Sequence, residues 1–280
     1  MEAFKPSAAL APYVTDIWAW EIPAGAQRAA PAALTLLPDG FPTFCLLYGD
    51  ALDAVHGDKA WTMRSAICGF QARPMQMSCS GFAAGITVRC VPWALACFVR
   101  GSLEEAAHRR LDCRDVFGPR AVEDLESSLF ELPTTLARVR RVEAFLLAQL
   151  HAKAADPLVR LVVCGITGNA GVRAVRDMVR DSGSSERTLE RRFRRSIGVP
   201  PKAFSRVARL QDALRRRGDQ VSWAESAIDA GYYDQAHLIR DAQQIFGITP
   251  EAVKAPPPGE VAQGFDALGR GTDLASTIFR

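Results

Sequence analysis

The spacing of apolar positions changes twice along this chain, and each change marks a different kind of structure. Over the first 100 residues, short apolar runs such as TFCLLYGD, SAICGF and GITVRCV are separated by Gly and Pro punctuation, including PDG at 38–40 and CSG at 79–81. Such runs predict β-strands. From 102 to 150 the period becomes helical. SLEEAAHRRL, AVEDLESSLF and TTLARVRRVEAFLLAQL follow one another, with Ser102 and Thr134 as N-caps. Leu136, Val139, Val142, Phe145 and Leu146 form one apolar stripe on the last. These residues predict a unit over 1–150, β-rich over 1–100 and helical over 102–150. A polar joint, HAKAAD, ends at Asp156–Pro157, where a cap and a first-turn proline start a new run of short helices. That run ends near Lys254, so the second unit spans 156–253. The PPPGE-containing stretch 254–280 has no sustained period and reads as a flexible tail.

Within the second unit a device is repeated. SERTLERRFRRSIGVPP at 185–201 and DQAHLIRDAQQIFGITP at 234–250 align at a shift of 49 residues, with Leu189 on Leu238, Arg191 on Arg240, Gly198 on Gly247 and Pro201 on Pro250. On a helix, Leu189, Phe193 and Ile197 share one side, and Arg187, Arg191 and Arg194 share the other. VRAVRDMVR, with Val172, Val175 and Val179 inward, and the break DSGSS precede this basic helix. Helix, short turn, basic helix is the layout of a helix-turn-helix DNA reader. The second copy repeats it. SWAESAIDA is its first helix, Gly231 its turn, and DQAHLIRDAQQIF its second helix, with Leu238, Ala242 and Ile245 inward. PKAFSRVARLQDALRRR links the copies, with Phe204, Val207, Leu210 and Leu214 inward. About 16 helical residues give roughly 24 Å, enough to hold two readers apart.

Charge agrees with this. The whole chain has a formal net charge of +3, yet 171–217 carries 14 Lys or Arg against 5 Asp or Glu. A basic block in a near-neutral chain is the footprint of a polyanion partner. The second copy differs: 222–246 holds one basic residue, Arg240, against the acids Glu225, Asp229, Asp234 and Asp241.

Together, S-E-R-T-L-E-R-R-F-R-R-S-I-G at 185–198, G-Y-Y-D-Q-A-H-L-I-R at 231–240 and F-G-I-T-P at 246–250 resemble the AraC/XylS family of transcription regulators. The front half, through LAPYVTDIWAWE, PDG and GITVRCVPWALACFVRGS, is similar to the cupin-like regulatory domain often attached to them. The resemblance implies an α+β chain overall: a cupin-like β-rich domain with a helical subdomain, then an all-α double helix-turn-helix domain. It implies a sequence-specific regulator, an activator, acting on double-stranded promoter or operator DNA and answering to a small-molecule effector. Base-reading positions carried over are Arg187, Glu190 and Arg191 in the first unit and Gln235, His237 and Arg240 in the second. Arginine addresses guanine bidentately and glutamate accepts from cytosine. Arg192, Arg194, Arg195 and Lys202 fall to phosphate, which gives affinity without sequence information. Ala242 stands where the family has an aromatic anchor, which implies a less firmly seated second helix.

The remaining features decide less. RNA polymerase stays open as a partner, and a homodimer and a monomer both stay open. The concentration of Trp18, Trp20, Phe41, Phe44, Tyr48, Trp61, Phe70, Phe82, Trp93 and Phe98 in the front half suits a β-barrel core or an effector site. The seven cysteines include no CxxC pair, and the four histidines have no zinc-type spacing to them. Neither a metal nor a cofactor is expected, and no nucleophile–base constellation or phosphate loop points to an enzyme. A thiol-, redox- or metal-responsive regulator and a front half that binds a protein partner or only dimerises are the alternatives. No signal peptide and no membrane span are read, so the cytoplasm is the expected location.

Overall fold

The computed structural model describes residues 1–22, 34–79, 81–104, 107, 110–151, 155–168, 180, 183–216, 222–252 and 277–279. Its first half is layered, and strand β4 (Thr43–Leu47) shows why. Phe44 and Leu46 point into one apolar core, while Cys45 and Leu47 point into another. A strand buried on both faces reads as the uninterrupted apolar run TFCLL rather than as alternation. One face is covered by helices and the other by a second sheet.

The six-stranded antiparallel sheet has the order β1 (Glu2–Phe4), β2 (Val14–Ile22), β9 (Ala83–Cys90), β4, β7 (Ala66–Cys68), β10 (Arg110–Asp112). The five-stranded sheet runs β11 (Thr277–Phe279), β3 (Leu34–Leu36), β8 (Met75–Ser78), β5 (Leu52–His56), β6 (Lys59–Met63). The expected cupin-like fold is corrected here. No described strand belongs to both sheets, and β1, β10, β11 and β6 end them as open edges, so no barrel closes. The α+β character of the front half stands without it. Two of its aromatics, Phe44 and Phe98, are fully buried with rings 5.3 Å apart, packed as core.

Among the described residues four helices follow the sheets or interrupt them: α1 (Leu95–Phe98), α2 (Cys113–Phe117), α3 (Pro119–Glu131) and α4 (Thr135–Gln149). Thr134 caps α4 by accepting from the Ala137 amide. Val139, Val142, Phe145 and Leu146 are buried as the stripe requires, but Leu136, in the first turn of α4, is 48% exposed. The helix expected over SLEEAAHRRL is also corrected. Arg110–Asp112 instead adds to the edge of β7, where the ladder satisfies its backbone, and residues 105–106 and 108–109 lie outside the described ones.

Between 157 and 252 the regular elements among the described residues are all helical: α5 (Pro157–Gly168), α6 (Glu186–Ile197), α7 (Pro201–Arg216), α8 (Trp223–Asp229) and α9 (Gln235–Phe246), then a 3-10 turn at Pro250–Ala252. Asp156 starts α5 by accepting from the Leu158 and Val159 amides. The helix expected at VRAVRDMVR, with Val172, Val175 and Val179, lies outside the described residues, as does most of the 254–280 tail. Thr277–Phe279 of that tail pairs antiparallel with β3.

One core runs across both halves. Leu37 and Phe70 from the front join Leu189, Phe193, Phe204, Val207, Leu210 and the residues behind them. Phe70 and Phe204 lie 5.9 Å apart, and the Gln211 side chain donates to the Pro38 carbonyl. The helical unit is therefore seated on the sheets by apolar burial and not merely tethered.

Candidate nucleic-acid interface

Helix α6 is amphipathic by construction. Ser185 caps it by accepting from the Thr188 amide, Arg194 and Arg195 sit in its last turn where the helix dipole favours cations, and Gly198 closes it at φ +98°. Leu189, Phe193 and Ile197 are buried, with Phe193 edge-on to Phe204 at 5.8 Å. Arg187, Glu190, Arg191, Arg192 and Arg195 are exposed, and Lys202 is exposed on the first turn of α7.

These cations are not equivalent. Arg194 is half-buried and held twice, by Glu190 at 3.0 Å and by Glu104 of the front half at 3.5 Å. Arg192 stands 3.7 Å from Asp156. Arg187, Arg191 and Arg195 make no ion pair with any described residue. Arg194 Nε and Nη2 both donate to Glu190 Oε1, which leaves Oε2 to accept from a cytosine amino group.

Helix α9 repeats the plan. Asp234 caps it by accepting from the His237 amide, and Gly247 closes it at φ +70°. Arg240 is exposed, with Nε donating to the Ala236 carbonyl. Gln235 and His237 are half-buried, and the His237 ring stands perpendicular to Tyr232 at 5.1 Å. The seating of α9 differs from what Ala242 implied. Phe246, at the position matching Ile197, is 2% exposed, so the aromatic is supplied one turn later than in α6. Ala242 and Phe246 fill together the space that Phe193 and Ile197 fill in the first copy. The exchange is readable in the aligned copies as a coupled size swap.

Three further features escape helical projection. Asp241, counted above among the acids of the second copy, is 5% exposed and lies 2.6 Å from Arg206 and 3.4 Å from Arg209 of α7. Tyr232 donates at 3.3 Å to the oxygen that Arg209 also contacts, and burial raises that phenol far above its ordinary range. Tyr233, just before the α9 cap, is 89% exposed, and the sequence offers only its place in GYYD as a signal. The third is the grip of the front half on α6: the Leu103 amide donates to the Arg195 carbonyl at 2.9 Å. A contact between residues so far apart in the chain leaves no periodic trace.

The match to known families falls on the same segments. Residues 178–255 match the model of a helix-turn-helix domain, and residues 2–112 match a domain of unknown function (DUF6597). No curated protein matches the chain. Among solved structures, ToxT from Vibrio cholerae O395 is similar at 8% identity and a TM-score of 0.47, over 84% of this chain and 95% of that one. Unsaturated fatty acid-bound wild-type ToxT from Vibrio cholerae gives 12% identity and 0.45, over 84% and 93%. ToxT bound to (E)-4-(8-methylnaphthalen-1-yl)but-3-enoic acid gives 7% and 0.48, over 84% and 96%. The matched helix-turn-helix segment spans both copies of the repeated device, the layout of a DNA-binding domain. Among the described residues, no helix is long and apolar enough to cross a membrane, and no group of three or more His, Cys, Asp or Glu is set to hold a metal ion.

Proposed function

We propose that α6 is the principal base reader and that the front half adjusts its access to DNA in response to a small molecule. The observation that carries this is the division of α6: an exposed Arg187–Arg191 edge, with no ion pair to any described residue, opposite a buried Leu189–Phe193–Ile197 seam. Arg187 and Arg191 address bases, with Glu190 beside them, while Arg192, Arg195 and Lys202 meet phosphates. Arg194, pinned by two carboxylates, contributes least. In the second unit Arg240 is the lead contact, with Gln235 and His237 at its flanks. The protein acts in the cytoplasm on promoter DNA, as a homodimer or a monomer, with RNA polymerase its partner when it activates. Footprinting tests the reading: R187A/R191A should lose protection of the first half-site, and unchanged protection sinks it.

The thiol-responsive alternative finds little to work with. Cys45, Cys68, Cys79, Cys90, Cys97 and Cys113 are buried and none is in a disulfide. Burial pushes the Cys45 thiol up to about 12 and Cys68 to about 11, and raises Cys90 and Cys113 as well. The reactive species is the thiolate, so these groups are inert at neutral pH.

A further inference from the structure

A cleft runs between the front half and the C-terminal end of α6, and its charge is unbalanced. One cavity of about 340 Å³ is walled by Ala96, Val99 and Arg100 near α1, by His151 after α4, and by Arg195. A second, of about 470 Å³, shares Arg195 and adds Arg191, Arg192 and Asp156. Both fall in the size range of small-ligand sites. Asp156 is the one acid among these lining residues. It is already engaged by Arg192 and by two amides of α5. Arg100, Arg191 and Arg195 make no ion pair with any described residue. Arg195 thus lines both cavities, with Arg100 on the first and Arg191 on the second, and none of the three is paired with a described carboxylate.

DNA contact alone does not account for this set. Arg191 and Arg195 belong to the basic helix, but Arg100 and His151 stand on the front half and on the joint between the units. The wall is also fixed. The Leu103 amide donates to the Arg195 carbonyl, and the His151 amide donates to the Cys97 carbonyl at 2.9 Å. The Leu103–Arg195 bond thus holds α6 against the front half before any ligand arrives, which lowers the ordering cost of binding. Ala96 and Val99 add a small apolar wall beside the cations.

We propose that this cleft binds a small multivalent oxyanion, a di- or tricarboxylate or a phosphate ester, through Arg100, His151 and Arg195, with Arg191 at its outer end. Guanidinium forks match carboxylate and phosphate oxygens alike, and the charge of the cleft calls for more than one anionic group. Occupancy takes Arg195 and Arg191 away from phosphate and base. The ligand is then an antagonist of DNA binding at the first unit. This rests on the reading of α6 as a DNA helix only for its consequence, not for the binding itself.

The test uses the full chain with citrate and, separately, inorganic pyrophosphate, each against chloride at matched ionic strength. Calorimetry without DNA should give saturable one-site binding of at least one probe. R100A/H151A should weaken that binding tenfold or more and leave DNA affinity without probe unchanged. In wild type the bound probe should lower DNA affinity at least fivefold beyond the chloride control, and in R100A/H151A it should not. The relative strength of the two probes separates a carboxylate from a phosphate ligand. Binding of neither probe, or binding unaltered in R100A/H151A, overturns the site. Loss of DNA affinity in R100A/H151A without probe also overturns it, and assigns the cleft to DNA phosphate. If the probes bind but R187A/R191A leaves DNA protection unchanged, the cleft stands and the assignment of α6 as reader fails.

Discussion

Asp241 of α9 accepts a hydrogen bond from Arg206 of α7 at 2.6 Å, and this pair ties the second recognition helix to the helix that links the two units. Arg209 stacks on Tyr232 at 4.4 Å and reaches the same carboxylate, so the tie is a network. Removing one partner of a buried pair leaves the other uncompensated. Because the Arg206 side chain is 37% exposed, D241A should cost about 2–3 kcal/mol of stability, below the full figure for a buried pair. D241N, which keeps the acceptor oxygen, should cost less. Urea denaturation of both variants measures this, and equal stability of all three proteins would show that the pair fixes nothing.

The arginines of α6 should separate by what they already hold. R187A and R191A should each weaken specific binding by about 1–3 kcal/mol and relax preference at one base pair. R195A and K202A should weaken binding to all sequences alike and lower the salt slope by about one. R194A should change affinity least, since its guanidinium is shared between Glu190 and Glu104. Binding isotherms over a salt series sort the three behaviours, and a uniform loss across all of them would contradict the division.

Gly198 is irreplaceable for two reasons at once. Its φ of +98° disfavours any side chain, and a Cβ there would stand 2.6 Å from the Leu103 carbonyl oxygen. G198A should destabilise by about 1–3 kcal/mol from backbone strain alone, with the clash in addition. It should also loosen the front half from α6. Hydrogen exchange at the Leu103 amide reports that directly, and unaltered protection in a folded G198A would refute the coupling.

Thiol chemistry gives a sharp contrast. Cys164 is exposed and the other six are buried, so a disulfide reagent at pH 8 should label one thiol per native chain and seven in denaturant. Cys45 and Cys68 have folded values raised above the ordinary thiol range. Their contribution is therefore full below about pH 8.5 and is lost as the unfolded chain ionises above it. Stability should fall between that pH and about 11–12, and the C45S/C68S variant should show a shallower fall. An identical slope would mean other groups dominate.

How much of this was readable beforehand depends on the range of the interaction. Thr134 and Asp156 act on amides within three residues, and Leu189, Phe193 and Ile197 act through helical period, so each declared its role locally. The sheet arrangement did not. Apolar runs such as TFCLL say that a strand is covered on both faces but not what covers it, and the barrel expectation rested on the family resemblance instead. Arg110–Asp112 has helical neighbours in sequence and a strand partner in space, and the partner decided. The burial of Asp241 left no local sign because its two arginines lie 32 and 35 positions away.

The shift of the aromatic from Phe193 in α6 to Phe246 in α9 limits how the readers can be re-engineered. The two helices share an outer face plan but not an inner one. Grafting a whole helix from one site to the other would put a phenyl ring where a methyl fits and leave a void a turn away. Only the outward positions can be exchanged, so altered sequence preference must be written onto each helix in place.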